Sequence, residues 1–186
     1  MILGKVCTRD CRYCNVQHGN PEDLNLDEPK YIAKAVKELG LKYVVITSVT
    51  RDDLDDYGSE QFVKVIKAIT KCRVEVLIPD FKAHIASLKK VSDAEPDVIA
   101  HNIEVVEELF SAIRPQGDYK RSLDVLKIIK KINPKQIIKS GLMIGLGEDK
   151  KSNESKSIDD DITVSYVPEN LATWNLHPIS SLVQVL

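Results

Sequence analysis

The sequence predicts an α/β fold with a parallel sheet, because short apolar segments alternate with amphipathic segments of helical spacing. The apolar segments are rich in valine and isoleucine, as expected of buried strands in a parallel sheet. The predicted strands cover residues 2–6, 43–46, 74–78, 97–100 and 137–144. The predicted helices cover residues 29–39 and 59–70 and lie within 85–91, 106–113 and 125–132.

Each predicted helix shows an apolar stripe at helical spacing. The first stripe consists of Ile32, Val36 and Leu39, and Gly40 is the stop signal that follows it. The later stripes consist of Phe62, Val65, Ile66 and Ile69; of Ile85, Leu88 and Val91; of Val106, Leu109, Phe110 and Ile113; and of Val125, Ile128, Ile129 and Ile132.

Composition narrows the class of protein. The chain has 186 residues, which is enough for one domain with a substantial core. A net charge of -2 and a pI of about 6.1 give no electrostatic reason to expect a nucleic acid as partner. No apolar run approaches the roughly twenty residues of a membrane span, and charged residues interrupt the first 14 positions, which excludes a secretory signal there. We therefore expect a soluble, cytoplasmic protein.

Three cysteines, Cys7, Cys11 and Cys14, form a Cys-x3-Cys-x2-Cys array that reads CTRDCRYC. Iron–sulfur cubanes usually take four cysteine thiolates, so three would leave one iron open for a ligand. Two alternatives remain at this point: a zinc site completed by Cys72 or a histidine, and thiols without a role. A disulfide framework is not expected, because the chain is not a small cysteine-rich secreted domain.

Polar and glycine residues follow the predicted strands. In parallel α/β folds, sites assemble at the carboxyl ends of the strands. The cysteine loop and the turns at 47–48, 79–80, 101–102 and 145–147 all lie there. The sequence therefore predicts one site built from five loops.

Six blocks of sequence resemble the lipoyl synthase family, whose members are sulfurtransferases of the radical SAM superfamily. The blocks are MILGKVCTRDCRYCNVQHG (1–19), YVVITSVTRDDLDDYG (43–58), VEVLIPDF (74–81), PDVIAHNIE (96–104), IRPQGDY (113–119) and KSGLMIGLGE (139–148). The resemblance implies a partial parallel (β/α) barrel of the radical SAM type, truncated at both ends. It divides the chain into a radical SAM core at 1–148 and a divergent tail at 149–186.

The resemblance also implies cofactors and partners. Cys7, Cys11 and Cys14 would hold a [4Fe–4S] cluster that reductively cleaves S-adenosylmethionine. Sulfur would be inserted at two carbons of an octanoyl group on a lipoyl carrier domain, such as a 2-oxoacid dehydrogenase E2 or the glycine cleavage H protein. Ferredoxin or flavodoxin would donate the electron. The family's sulfur source is an auxiliary [4Fe–4S] cluster, whose ligands this chain does not supply.

Five further residues are candidates for cofactor binding. Thr47 and Ser48 stand where radical SAM folds contact the methionine amine, although capping of the following turn is an alternative. Asn102 and Glu104 could bind the ribose hydroxyls, or Asn102 could cap a helix. Arg114 is a candidate for pairing with a carboxylate.

The sequence also departs from the family. The upstream cysteine trio and the C-terminal Arg-Ser-Ser-Tyr segment are missing, and residues 158–186 show neither the expected strand nor the expected proline turns. These departures suggest a truncated or frame-shifted gene product. They leave two alternatives open: a single-cluster radical SAM enzyme of other specificity, and a non-catalytic iron–sulfur protein.

Overall fold

The computed structural model of the chain describes residues 1–148 and the backbone of residues 163–166. The helices are α1 (Glu28–Glu38), α2 (Ser59–Ala68), α3 (Ile85–Asp93), α4 (Glu107–Ile113) and α5 (Tyr119–Ile132), with a short 3-10 turn at Phe81–Ala83. The strands are β1 (Val6–Cys7), β2 (Gln17–His18), β3 (Tyr43–Thr47), β4 (Arg73–Leu77), β5 (Val98–Ala100), β6 (Ile137–Leu142) and β7 (Thr163–Tyr166).

The central sheet has the order β3-β4-β5-β6-β7, and every neighbouring pair is parallel. Thr47 pairs with Leu77, and Leu77 pairs with Ala100, so the carboxyl ends of β3, β4 and β5 are aligned at one edge. Among the described residues the sheet is open, with β3 and β7 as its edge strands. The prediction of an α/β fold with a partial parallel barrel is confirmed.

The predicted strand at 2–6 is wrong. Ile2 makes only an isolated parallel bridge to Ser48, and its amide donates to the Thr47 carbonyl at 2.7 Å. Leu3 and Gly4 have φ angles of 70° and 96°, which turn the chain out of an extended conformation. Pairing resumes only at β1, which lies beside β2 in a separate two-stranded parallel sheet.

The tail, whose sequence does not show the expected strand, contains one short strand. Thr163–Tyr166 forms β7 and pairs in parallel with β6, from Lys139 to Leu142. This segment reads Thr-Val-Ser-Tyr, and three of its four residues are of strand-forming type. The predicted tail at 149–186 otherwise lies outside the described residues.

The core lies between the helices and one face of the sheet. Val76 and Ile99 from the strands are fully buried, and they belong to one apolar cluster with Phe62, Leu88 and Leu126 from the helices. No helix among the described residues has the length and apolar character that a bilayer-spanning segment needs.

The opposite face of the sheet, which lines the interior of the partial barrel, carries a polar cluster. Glu75 of β4 is 1% exposed. It accepts hydrogen bonds from the Tyr43 hydroxyl of β3 and, at 3.2 Å, from the Lys139 ammonium group of β6. One carboxylate thus links three strands inside the barrel.

Candidate functional site

A cavity at the carboxyl edge of the sheet brings together all the residues that the sequence predicts for the site. These residues are Cys7, Cys11, Cys14, Thr47, Ser48, Asn102, Glu104 and Arg114. Four of the five predicted loops contribute to its wall. The turn at 145–147 does not line the cavity. Its amides at Gly145 and Leu146 donate instead to the Glu148 carboxylate.

The cysteine loop forms the rim of this cavity. The amide of Cys14 donates to the Cys11 carbonyl at 2.9 Å, which turns the loop and leaves Cys14 exposed. The Cys7 sulfur accepts hydrogen bonds from the amides of Arg9, at 3.4 Å, and Thr50, at 3.3 Å. Burial raises the pKa of the Cys11 thiol, an effect that the positive charge of Arg114 partly offsets. Donors placed around cysteine sulfur are suited to a negatively charged metal–thiolate site.

The fourth cysteine does not belong to this site. Cys72 stands directly before β4, whose last residue, Leu77, lines the cavity. Five residues of parallel strand span about 16 Å, so Cys72 cannot complete a zinc site with the other three cysteines. Within residues 1–148, no three His, Cys, Asp or Glu side chains have the spacing of a single-ion site.

Thr47 and Ser48 line the cavity at the end of β3. The Ser48 hydroxyl is buried and has no hydrogen-bond partner in the described part of the chain. A capping hydroxyl would be bonded to the backbone, so the alternative in which Ser48 caps the following turn is not supported. A buried, unpaired hydroxyl on a cavity wall is available to a ligand.

Asn102 and Glu104 follow β5, and α4 begins only at Glu107 with Val106 at its N-cap. Asn102 therefore does not cap that helix. Gly141 of β6 allows the Asn102 side chain to lie against the strand, since a Cβ at this glycine would be 3.0 Å from Asn102 Oδ1. Burial raises the pKa of Glu104, and the charge of Arg114 opposes this increase.

Arg114 follows α4 and is buried beside the cysteine loop. Its Nη1 donates to the carbonyls of Asn102 and Ile103, both at 3.2 Å, and its guanidinium lies 5.0 Å from the centre of the Phe110 ring. Its Nε is buried and has no hydrogen-bond partner among the described residues. The predicted pairing of Arg114 with a carboxylate therefore has a donor available on the cavity wall.

The cavity is also lined by side chains that were not among the eight predicted site residues, and these include Arg9, Tyr13 and His101. His101 is buried, and its Nδ1 lies 3.0 Å from the Ile78 carbonyl, so Nδ1 is the protonated nitrogen. Burial lowers the pKa of His101 to about 4, and its Nε2 has no partner within the described residues. The only sequence signals were positional, because Tyr13 precedes the last cysteine of the array and His101 precedes Asn102.

The residues present fit a [4Fe–4S] cluster with a bound amino-acid nucleoside. Three thiols share one rim, and two of them are half-buried. The wall offers unpaired buried atoms of Ser48, His101 and Arg114, which together include acceptors and a cationic donor. S-adenosylmethionine carries an ammonium, a carboxylate and ribose hydroxyls, which are complementary to these groups.

Residues 1–155 match the family model of the radical SAM superfamily, and the chain belongs to this superfamily. The superfamily's cofactors are a [4Fe–4S] cluster and S-adenosylmethionine, as predicted. Within it, the chain is 53% identical over 164 residues to the lipoyl synthase of Caldicellulosiruptor bescii. It is 51% identical over 152 residues to that of Rubrobacter xylanophilus and 50% identical over 155 residues to that of Methanocella arvoryzae. The resemblance to lipoyl synthases is confirmed.

The aligned regions cover 86%, 80% and 80% of this chain, and 56%, 47% and 52% of those three relatives. The chain thus spans about half the length of the curated relatives it matches. Solved structures support the fold. Methylornithine synthase superposes with a TM-score of 0.64 at 18% identity, covering 89% of this chain and 52% of that one. The [FeFe]-hydrogenase maturase HydG gives 0.66 at 21% identity, covering 82% and 36%.

Proposed function

We propose that residues 1–148 are the radical SAM core of a lipoyl synthase-like sulfurtransferase. Its reaction inserts sulfur at two carbons of a protein-bound octanoyl group, a step of lipoate biosynthesis. The observation that carries the proposal is the convergence of the three array cysteines, four residues at strand ends and Arg114 on one cavity. The identity to lipoyl synthases over at least four fifths of the chain supports the specificity.

The cavity residues divide into two groups. Cys7, Cys11 and Cys14 hold the cluster, and the amides that donate to the Cys7 sulfur stabilise its thiolate. When bound, the cluster supplies the electron that cleaves S-adenosylmethionine into methionine and a 5′-deoxyadenosyl radical. The enclosing wall orients the substrate and protects the radical from side reactions.

The second group holds S-adenosylmethionine. Thr47, Ser48, Asn102 and Glu104 line the cavity. The hydroxyls of Thr47 and Ser48 would accept hydrogen bonds from the ammonium group of S-adenosylmethionine, and Asn102 and Glu104 would bind its ribose hydroxyls. Arg114 pairs with its carboxylate through the unpaired Nε. Each role uses a polar group that stands on the cavity wall.

The partners and the compartment follow from the same proposal. The substrate is an octanoylated lipoyl carrier domain, such as a 2-oxoacid dehydrogenase E2 or the glycine cleavage H protein. Ferredoxin or flavodoxin donates the electron, and neither nucleic acid nor a membrane takes part. The cytoplasm is the compartment, because it keeps the cysteines reduced. Since residues 1–148 offer no second cysteine trio, the auxiliary cluster would need ligands from elsewhere.

The direct test is anaerobic. The chain is purified without oxygen, its cluster is rebuilt, and dithionite and S-adenosylmethionine are added. We expect 5′-deoxyadenosine from the wild type and none from the Cys11→Ala variant, which loses one thiolate of three. Addition of an octanoylated H protein then tests sulfur insertion by mass spectrometry. Absence of 5′-deoxyadenosine from wild-type protein with about four irons per chain would contradict the radical chemistry and favour a non-catalytic iron–sulfur protein.

A second variant tests the proposed contact between Asn102 and the ribose of S-adenosylmethionine. Gly141→Ala places a methyl group 3.0 Å from Asn102 Oδ1 and 3.3 Å from its Cγ, so the amide must move. We expect about tenfold weaker binding of S-adenosylmethionine at unchanged iron content, measured by calorimetry on cluster-loaded protein. The control is Ser140→Ala, a change in the same strand that removes an unpaired hydroxyl. Equal affinities for wild type and Gly141→Ala would exclude Asn102 from the binding site.

A further inference from the structure

Arg9 lies inside the cysteine array, yet its side chain points away from solvent. It is 4% exposed, which is unusual for an arginine within a surface loop. A buried guanidinium is costly unless carboxylates compensate its charge. Its partners therefore define what it does.

Two carboxylates from separate loops bind this guanidinium. Asp52, in the loop after β3, accepts from Nε at 2.7 Å and from Nη2 at 2.9 Å. Asp80, in the turn after β4, accepts from Nη1 at 2.9 Å and from Nη2 at 2.7 Å. Both interactions are bidentate, the geometry that gives arginine pairs their directional specificity. Arg9 thus ties the cysteine loop to the ends of two strands.

Asp80 is itself held rigidly. Its carboxylate also accepts from Arg121 Nε at 2.8 Å and from the Lys82 amide at 3.0 Å. Burial alone would raise the pKa of Asp80, but the hydrogen bonds and the charge of Arg9 outweigh it and hold the pKa well below its usual range. The carboxylate of Asp80 is therefore ionised at neutral pH.

The anchored cysteine loop places two backbone amides against the Cys7 sulfur. The Arg9 amide donates to the Cys7 sulfur, so the residue that forms the ion pairs also supplies a sulfur hydrogen bond. The Thr50 amide supplies the second, and Thr50 stands two residues before Asp52. Both sulfur donors are thus fixed by the same network.

We propose that Arg9 is a positioning residue for the cluster, which fixes the cysteine loop through Asp52 and Asp80 so that two backbone amides face the Cys7 sulfur. The inference rests on the proposed function, because the cluster is the group being positioned. Hydrogen bonds to ligand sulfur make an iron–sulfur cluster easier to reduce. Loss of the Arg9 network therefore makes the cluster harder to reduce.

The test compares Arg9→Met with the wild type in two states. In the cluster-free protein, hydrogen–deuterium exchange of the amides at 8–12 is expected to be at least about tenfold faster, since opening the loop no longer breaks four hydrogen bonds. In the rebuilt protein, the midpoint potential is expected to become more negative and the EPR signal of the reduced cluster to change. Asp52→Asn is expected to shift all three readouts in the same direction.

The matched control is Arg51→Met. Arg51 is also buried, at 2% exposure, but it pairs with Asp53 and donates to the Leu3 carbonyl rather than to partners of the cysteine loop. It is expected to lower stability without altering the EPR signal. Wild-type exchange, potential and EPR signal in Arg9→Met would overturn the proposal. If Arg9→Met does not fold, Asp52→Asn decides alone. Failure of wild-type protein to take up a cluster would instead count against the proposed function.

Discussion

Replacing Glu75 with alanine is expected to lower the free energy of unfolding by about 3 kcal/mol, because it leaves a buried charge without its partner. Glu75 is 1% exposed, and the Lys139 side chain that donates to it is 17% exposed. Burial and the bond to Glu75 also raise the pKa of Tyr43 to about 12. Urea unfolding of cluster-free protein at neutral pH measures the effect.

The control uses an exposed pair of the same kind. Lys89 and Asp93 form an ion pair across one turn of α3, with both side chains more than half exposed. Asp93→Asn is expected to leave the urea midpoint unchanged, since exposed pairs contribute little. The urea midpoint of Glu75→Gln is expected to lie between those of Glu75→Ala and Asp93→Asn, because glutamine keeps the volume and hydrogen-bonding capacity of glutamate but loses its charge. Equal midpoints for Glu75→Ala and wild type would show that the interior cluster does not stabilise the sheet.

Acid is expected to destabilise the protein through His101. Its pKa is lowered to about 4 in the folded protein, whereas an unfolded chain has an ordinary value near 6.5. The unfolded state therefore binds the proton first, so the stability is fully present above pH 6.5 and is lost as pH falls towards 4. We expect this group alone to reduce the free energy of unfolding by about 3 kcal/mol between pH 7.5 and pH 4.

The variant His101→Asn isolates this contribution. Asparagine keeps a donor for the Ile78 carbonyl but does not titrate in this range. The difference in unfolding free energy between the two proteins should shrink as pH falls, because only the wild type loses the histidine's contribution. Parallel pH profiles for the two proteins would show that folding does not lower the pKa of His101.

The sheet was largely predictable, because the residues of its strands have a strong preference for extended structure. The strands Tyr43–Thr47 and Arg73–Leu77 contain valines and isoleucine, which mark them in the sequence. The prediction of a first strand at 2–6 failed for a local reason, because Leu3 and Gly4 adopt positive φ angles. Of these two residues, only the glycine indicates such a conformation in the sequence. For β7, the backbone pairing with β6 decides the structure of a segment that is too short for a clear pattern.

The candidate site was predictable in part for a similar reason. Cysteine spacing and the position of residues at strand ends are visible in the sequence. The importance of Arg9 is not, because its partners lie 43 and 71 residues away and meet it only in the folded chain. The neutral state of His101 likewise depends on burial by segments that are distant in sequence.

At position 104, the residue that would best stabilise the fold differs from the residue that we propose for cofactor binding. It has a φ angle of 74°, in the region where a residue with a side chain pays roughly 1 kcal/mol that glycine does not. Its backbone is held there by pairing with β6, through the Gly141 carbonyl and the Met143 amide. Laboratory evolution that selected only for thermal survival would favour glycine at this position and so discard the carboxylate we propose for the ribose. Selection for turnover must therefore accompany any attempt to stabilise this protein.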